Sequence, residues 1–182
     1  MDINEHGYWS GNTSGEHHFD KSLSESLIYF LNKENIKFVI DFGCGEGKYV
    51  EGFNRNNIKC IGYDGNPDTE NKDNCYIKDL SVDFILENKP EWIISLEVGE
   101  HIPKIYEKNF INNLNNNNTK GIIISWAVKG QGGTGHVNEQ NNEYIKNIFV
   151  ELGYRNEKSI EEYFRYNSVL PWFKNTIMVF RK

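Results

Sequence analysis

Three glycines at alternate positions, within the stretch from Asp41 to Gly47, are the most distinctive feature of this 182-residue chain. The preceding run from Ile36 to Ile40 is short, β-branched and aromatic, which predicts a buried parallel strand that ends near Asp41. Glycine allows a tight turn and leaves no Cβ to hold a ligand away, and a helix can start at Lys48. We therefore expect a loop in which a nucleotide-like ligand lies against bare backbone.

The glycine spacing is G-x-G-x-G and differs from the G-x-G-x-x-G of dinucleotide folds. Asp41 and Glu46 also place two carboxylates where a pyrophosphate would need none. A cationic ligand fits this loop better, and S-adenosylmethionine is the nucleotide-like cofactor that carries positive charge and no phosphate. We expect Asp41, Gly43, Cys44 and Gly45 to line its site, with Cys44 as a small space-filling side chain.

A second acid, Asp64, follows the predicted strand from Ile58 to Tyr63 and precedes the turn Gly65-Asn66-Pro67. An acid at the tip of strand two, one βαβ unit after a glycine loop, can accept hydrogen bonds from both ribose hydroxyls. The alternative is that Asp64 only starts an Asx turn. The compatible spacing favours ribose binding, with Gly65 beside it.

With these motifs the chain resembles the class I S-adenosylmethionine-dependent methyltransferases, particularly the small-molecule branch related to ubiquinone O-methyltransferases. The resemblance implies that Asp79 contacts the adenine amino group and that the backbone N–H of Leu80 contacts the ring. The most specific match is the sequence motif LEVGEHIP, from Leu96 to Pro103. The matching segments are Asp41 to Gly47, Tyr63-Asp64, Ile77 to Leu80 and Ile93 to Pro103.

Strand and helix patterns alternate along the chain, which predicts an α/β fold. Helices are predicted over 22–32, 102–114 and 141–152, and later strands over 91–96, 121–127, 154–157 and 175–181. The resemblance implies a Rossmann-like seven-stranded sheet in the order 3-2-1-4-5-7-6, with the last strand antiparallel and helices on both faces. We expect one domain over 1–182, with a lid and helix in 1–34 and the core in 35–182.

Chemistry in open α/β sheets collects at the carboxyl ends of the strands. Glu97 follows strand four, where it can approach the methionine moiety or the acceptor, or can serve as a capping or surface carboxylate. His101 follows it, and the near-neutral pKa of histidine suits a general base in methyl transfer. The alternative is that His101 caps the next helix or contacts the cofactor.

The segment 129–140 after strand five is rich in glycine and long for a connection, which favours an acceptor-binding loop. His136 and Asn138 are its polar candidates, His136 also as a base, and Trp126 precedes it. Its wording weakly resembles methyltransferases that decorate glycans or nucleotide sugars, some of them in large DNA viruses. His17, in the expected lid, is an alternative base and acceptor contact.

Composition limits the function classes. The net charge of −6 and pI near 5.4 argue against a polyanionic partner such as nucleic acid. No apolar run approaches the roughly 18 residues of a membrane span, and we expect a cytoplasmic monomer or homodimer, in the host cytoplasm if the source is viral. His17, His18, His101, His136 and nearby acids could in principle bind a metal, but no pair among the five histidines has i, i+4 spacing, so no metal site is predicted.

These features favour O-methylation of a small hydroxylated acceptor, with a sugar or nucleotide sugar among the candidates. An NAD(P)-dependent oxidoreductase would share the fold, but the glycine spacing differs and the chain leaves little room for a substrate domain. A non-catalytic scaffold that binds the cofactor is the other alternative.

Overall fold

The computed structural model describes residues 2–11, 15 and 17–182, and in this part of the chain seven strands form one mixed sheet beside a two-stranded hairpin. The hairpin consists of β1 (Asp2–Ile3) and β2 (Trp9–Ser10). The sheet strands are β3 (Phe38–Phe42), β4 (Lys59–Asp64), β5 (Cys75–Ile77), β6 (Trp92–Ser95), β7 (Gly121–Ile124), β8 (Arg155–Asn156) and β9 (Met178–Arg181).

The strand order in the sheet is β5-β4-β3-β6-β7-β9-β8. The strands from β3 to β7 pair in parallel, whereas β9 pairs antiparallel with both β7 and β8. In the numbering of the sequence prediction this is 3-2-1-4-5-7-6 with the last strand antiparallel. The predicted Rossmann-like topology is confirmed.

Helices cover both faces of the sheet, as predicted. They are α1 (Lys21–Lys33), α2 (Lys48–Arg55), α3 (Glu107–Asn116), α4 (Asn142–Glu151), α5 (Lys158–Asn167) and α6 (Phe173–Thr176), with short 3₁₀ turns at Pro67–Asn71 and Lys104–Tyr106. None of the helices in the described part of the chain has both the length and the apolar character needed to cross a bilayer.

The sheet has a hydrophobic core on each face, because successive side chains along a strand point to opposite faces. Val39 of β3 packs in a core with Leu27 of α1 and Phe53 of α2. Its neighbour Ile40 points to the opposite face, into a second core with Phe110 of α3. Each strand of the sheet centre is therefore buried on both sides, and its polar chemistry is confined to its ends.

Two predicted element starts were wrong by three residues or more, and the strand predicted over 121–127 ends at Ile124. The helix predicted from residue 102 begins at Glu107, because Pro103 disfavours the helical conformation of the residue before it and is itself extended, with ψ of 144°. The last strand begins at Met178 and not at Asn175, since the residues before it form α6.

The asparagine run from Asn115 to Asn118 spans the end of α3 and is not the polar loop that its composition predicts. Asn117 and Asn118 are buried. The side-chain oxygen of Asn117 accepts a hydrogen bond from the backbone N–H of Leu86, at 2.7 Å, and that of Asn113 accepts one from Phe84, at 2.9 Å. These amides satisfy the backbone of a segment without regular structure and fix it against α3.

Candidate functional site

A cavity of about 410 Å³ opens at the carboxyl ends of β3, β4 and β6. Such a position is typical of ligand sites in open α/β sheets. Most of the residues that the sequence singled out line it: Asp41, Gly43, Cys44, Gly45, Asp64, Gly65, Asp79, Leu80, Glu97, His101, His136 and His17. The fold therefore brings the predicted cofactor residues and the predicted acid–base residues into one space.

The glycine loop has a shape that other residues would not allow. Gly43 and Gly45 have positive φ angles of 82° and 49°. A Cβ on Gly43 would lie 2.2 Å from Val98 Cγ2, and one on Gly45 would lie 2.6 Å from His17 Nδ1. The loop thus offers bare backbone to the cavity, as its sequence predicts.

Asp41 and Cys44 lie at the base of this loop and are buried. Burial, reinforced by Cys75 and Asp64, raises the pKa of the Asp41 carboxyl to about 8. A hydrogen bond with the Cys75 thiol, together with burial, raises the pKa of the Cys44 thiol above its ordinary value. Cys44 is therefore an unreactive thiol here, which agrees with its predicted space-filling role.

Asp64 joins the ends of two strands. Its Oδ2 accepts a hydrogen bond from the backbone N–H of Gly45, and its Oδ1 accepts one from Asn66, both at 2.9 Å. The Asx turn considered in the sequence is therefore present, and the same carboxylate also faces the cavity. The two interpretations are compatible, because a carboxylate has about four acceptor positions.

Asp79 is held by hydrogen bonds on both oxygens. The backbone N–H and the hydroxyl of Ser81 donate to Oδ1 at 2.8 and 2.6 Å, and His6 Nδ1 lies 2.5 Å from Oδ2. Burial alone would raise the pKa of Asp79, but the hydrogen bonds from Ser81 and His6 lower it below its usual value. Asp79 is therefore an ionised acceptor beside the buried Leu80.

The amino-terminal hairpin covers this part of the cavity. A Cβ on Gly65 would lie 2.4 Å from the Tyr8 ring, and one on Gly7 would lie 2.0 Å from the His101 carbonyl oxygen. The Trp9 ring lies 5.3 Å from the His17 ring and 5.0 Å from the His101 ring, between centroids. The resemblance implied a lid in residues 1–34, but the individual contacts of residues 6–9 were not predicted from the sequence.

Glu97 has a strained backbone and a partnered side chain. Its φ is 55°, in the left-handed region that L residues rarely adopt, and its backbone N–H donates to Ser125 Oγ. The carboxylate accepts hydrogen bonds from Gln131 at 2.8 Å and Thr176 at 3.3 Å. Burial raises its pKa, and these hydrogen bonds oppose the shift. Glu97 is therefore a cavity carboxylate and not a surface or capping one.

His101 differs from the near-neutral base that the sequence predicts. Burial, reinforced by the charge of His136, lowers its pKa to about 4. Its Nδ1 lies 3.2 Å from the carbonyl oxygen of Gly135, so Nδ1–H is assigned as the donor and Nε2 carries the free lone pair. His101 is thus neutral at pH 7 and can accept a proton or a cation.

His136 lies in a loop that folds around Glu139. Glu139 accepts hydrogen bonds from the backbone N–H groups of Gly130 and Gly132, both at 2.7 Å, and His136 Nδ1 lies 3.1 Å from its Oε1. The carbonyl oxygen of Glu100 accepts hydrogen bonds from Val137 and Asn138, both at 2.9 Å. These bonds bring the two histidine rings to 5.0 Å, centroid to centroid.

The same arrangement forms a cluster that the sequence did not predict. Glu100, His101 and His136 each offer one ligand atom, and these atoms lie within 4.8 Å of one another. The spacing argument considered only one helix, whereas these residues come from two loops. The sequence therefore gave no basis for excluding a metal site.

Trp126 and Asn138 do not line the cavity, which corrects their prediction as acceptor contacts. Both are buried. The Trp126 ring fills the space that Gly99 leaves, and its Nε1 donates to the carbonyl oxygen of Asn138 at 2.7 Å. Asn138 Nδ2 donates to Glu107 Oε2 at 2.9 Å. These residues support the loop from beneath, because Gly99 allows Trp126 to pack inward.

Solved structures with the same fold are numerous. Magnesium protoporphyrin IX methyltransferase from Synechocystis, solved with bound SAH, is 16% identical, with a TM-score of 0.63 over 87% of this chain and 80% of that chain. The methyltransferase domain of bacterial CtHen1 is 15% identical, with a TM-score of 0.65 over 89% and 98%. A TehB-like methyltransferase from Corynebacterium glutamicum is 17% identical, with a TM-score of 0.64 over 87% of each chain.

No curated protein matches the sequence. The family described as "Methyltransferase domain" matches residues 16–159, which is most of the chain. The match includes the glycine loop, Asp64, Asp79 and the segment from Glu97 to His136. Solved structures with this fold contain bound SAM or SAH, which is consistent with S-adenosylmethionine as the cofactor. As its class I resemblance implies, the chain belongs to the methyltransferase domain family.

Proposed function

We propose that this protein transfers the methyl group of S-adenosylmethionine to a hydroxyl oxygen of a small acceptor, with a sugar or nucleotide sugar as the favoured class. The observation that carries the proposal is the shared cavity. Its carboxylates Asp41, Asp64 and Asp79 can hold a cationic nucleoside, and His101 and His136 line the same space.

The cofactor would lie along the carboxyl ends of β3 to β6. Asp64 holds the ribose hydroxyls, and Asp79 with the backbone of Leu80 holds the adenine. The α-ammonium lies near Asp41, where a positive charge would offset the cost of ionising a buried carboxyl. Glu97 faces the methionine moiety or the acceptor. Residues 1–34 act as a lid and helix over this site, a role supported by the contacts of Tyr8 and His17 with the cofactor loops.

The reaction is an in-line displacement at the methyl carbon. The acceptor oxygen forms a bond to that carbon while the bond to sulfur breaks, and the sulfur keeps the electron pair, so the sulfonium becomes a neutral thioether. The hydroxyl proton leaves to His101 or His136. The donor is already activated, so most of the catalysis is positioning, which can supply about 7–11 kcal/mol.

The acceptor class follows from the size and charge of the site. A cavity of about 410 Å³ must hold both cofactor and acceptor groups, which favours a small molecule. The net charge of −6 disfavours a polyanion such as nucleic acid. A polar hydroxylated acceptor also suits Trp9 Nε1, a hydrogen-bond donor in the cavity wall that has no acceptor among the described residues.

The family match favours methyl transfer over hydride transfer by an NAD(P)-dependent oxidoreductase. A scaffold that binds the cofactor without turnover is a separate alternative. Calorimetric titration with S-adenosylhomocysteine and with NAD⁺ distinguishes a methyltransferase from an oxidoreductase. We expect S-adenosylhomocysteine to bind and NAD⁺ not to bind. Methyl transfer from labelled S-adenosylmethionine to a panel of nucleotide sugars, free sugars, quinols and small amines then tests the acceptor.

We expect turnover with a sugar-like hydroxyl. His101→Ala or His136→Ala should lower kcat by at least about 10²-fold, the lower range for general acid–base catalysis, and leave cofactor affinity nearly unchanged. Turnover with amines alone would contradict the hydroxyl acceptor. Cofactor binding without turnover on any acceptor would favour the scaffold, and absence of S-adenosylhomocysteine binding would refute the proposal as a whole.

A further inference from the structure

Glu100, His101 and His136 offer three ligand atoms within 4.8 Å of one another, and the two histidines line the cavity. We infer that these side chains bind one divalent transition-metal ion, and that this ion holds the acceptor hydroxyl. The binding of the ion stands on the geometry of the three residues. Its role toward the acceptor rests on the proposed function.

The first observation is the state of Glu100. Its side chain is fully buried, and among the described residues no hydrogen bond of ordinary geometry reaches either carboxylate oxygen. Burial and the neighbouring Glu97 carboxylate raise the pKa of Glu100, and the backbone N–H groups of residues 100 and 127 oppose this shift. Buried polar groups without partners are rare in native structures, because each loses its hydration without compensation. A cation bound between Glu100 and the two histidines would supply the missing partner for this carboxylate.

The second observation is the orientation of the two imidazoles. His101 Nδ1 lies 3.2 Å from the Gly135 carbonyl oxygen, and His136 Nδ1 lies 3.1 Å from Glu139 Oε1. In histidines that bind metals, the second ring nitrogen usually donates to a carbonyl or carboxylate in this way, which fixes the tautomer and orients the ring. Both Nε2 atoms are then left with lone pairs available to an ion.

The third observation is the space beside His136. A Cβ on residue 133 would lie 2.3 Å from His136 Nε2, so the glycine at this position keeps that nitrogen uncovered. The loop that supplies His136 is tied to the backbone of Glu100 by two hydrogen bonds. One ligand therefore comes with the acceptor loop, and the other two come from the segment after β6.

Two imidazoles and one carboxylate select the kind of ion. Mg²⁺ and Ca²⁺ prefer oxygen ligands alone, whereas imidazole suits Zn²⁺, Co²⁺ and Fe²⁺. Three protein ligands leave at least one coordination position open, as in catalytic zinc sites. A hydroxyl oxygen bound there becomes more acidic. Because the ion occupies both Nε2 atoms, it replaces the free histidines as the group that activates the hydroxyl, and the proton leaves to solvent water before or during attack on the methyl carbon.

The test uses full-length protein freed of metal with EDTA and titrated with Zn²⁺ by calorimetry and with Co²⁺ by visible absorption. We expect one ion per chain and Co²⁺ bands characteristic of nitrogen ligation. Glu100→Gln, His101→Ala and His136→Ala should each weaken binding by more than about 10-fold. Glu139→Gln, which weakens the acceptor shared by His136 and the backbone N–H groups of Gly130 and Gly132, should weaken it by about 10-fold.

Glu161→Gln is the matched control, because Glu161 is buried on α5 but is already paired with Lys146 and Asn156. It should bind the ion as the wild type does. Each variant is also titrated with S-adenosylhomocysteine to establish that its cavity is intact. Glu100→Gln keeps the size of the side chain and removes its ability to bind the ion as a carboxylate. Loss of metal affinity in a variant that still binds S-adenosylhomocysteine is therefore not ascribed to misfolding.

Absence of stoichiometric binding, or equal affinity in wild type and all three ligand variants, would overturn the metal site. Full turnover in EDTA would overturn its role toward the acceptor and leave the methyltransferase proposal standing. Metal binding in a protein that neither binds S-adenosylhomocysteine nor methylates any acceptor would leave the site standing and refute the proposed function.

Discussion

His6 and Asp79 are 73 positions apart in the sequence, yet His6 Nδ1 lies 2.5 Å from Asp79 Oδ2. The contact joins the amino-terminal hairpin to the carboxylate that we propose for adenine recognition. Ser81 Oγ lies 3.0 Å from the same His6 nitrogen, so the three side chains form one network. The hairpin is thus attached to the cofactor site through a group that the cofactor itself would use.

We predict that Asp79→Ala weakens S-adenosylhomocysteine binding more than Asp79→Asn does. The alanine removes the adenine acceptor and the partner of His6, whereas the amide oxygen of asparagine can still accept one hydrogen bond. His6→Ala should mainly raise the dissociation rate, by about 10-fold, because it releases the hairpin without removing the acceptor. Stopped-flow and calorimetric measurements check this prediction. Unchanged S-adenosylhomocysteine binding in all three variants would mean that Asp79 does not contact the adenine.

A second prediction concerns Asp64. Asp64→Ala should weaken S-adenosylhomocysteine binding by about 1.5–3 kcal/mol, the range for hydrogen bonds to a charged group. Asp68→Ala, an exposed acid on the following 3₁₀ turn, is the control and should have no effect. Calorimetry on both variants provides the comparison. Wild-type affinity in a folded Asp64→Ala protein would contradict the ribose contact.

The raised pKa of the buried Asp41 leads to a prediction of how the free energy of unfolding depends on pH. Its pKa rises from 3.8 to about 8 on folding, so between these values the native state holds a proton that the unfolded state has lost. Stability should therefore fall as pH rises through this window, by up to about 1.4 kcal/mol per pH unit. Asp41→Asn should flatten the dependence, raise the free energy of unfolding at pH 8 and weaken cofactor binding.

Urea denaturation between pH 5 and 8, with the exposed Asp83→Asn as control, measures the effect of Asp41. Identical slopes in wild type and Asp41→Asn would mean that the carboxyl is ionised throughout. A stabilised Asp41→Asn protein with weakened cofactor affinity would instead identify Asp41 as a residue whose function costs stability, as is common for binding sites.

Local patterns were sufficient to predict the alternation of strands and helices and the residues around Asp41 and Asp64 that line the cavity. The strand before Asp41, the glycine loop and Asp64 occur within one βαβ unit, so their spacing in sequence determines their spacing in the structure. The strand order, which the family resemblance implied, was confirmed as well. Boundaries failed where one residue overrode the pattern, as Pro103 did at the start of α3.

The part of the cavity around His101 and His136 could not be predicted in this way. Its geometry depends on two hydrogen bonds between the Glu100 carbonyl and residues 137 and 138, which periodicity does not reveal. Trp126 was predicted in the crevice because it follows a strand, but the absence of a side chain at Gly99 lets it pack inward. The low pKa of His101 likewise results from burial by the hairpin, a contact between distant segments.

The last prediction tests whether the position of His136 matters for turnover. A Cβ on Gly133 would lie 2.3 Å from His136 Nε2, so Gly133→Ala must displace this ring. We expect kcat to fall by about 10²-fold, the effect of a misplacement near 1 Å, with cofactor affinity unchanged.

Gly130→Ala is the matched control, because Gly130 also has a positive φ, of 87°, but no atom lies within 4 Å of its added Cβ. It should lose about 1–2 kcal/mol of stability through backbone strain while keeping its turnover. Steady-state kinetics and urea denaturation on both variants separate the two effects, and equal losses of kcat would mean that loop strain, and not the place of His136, limits the reaction.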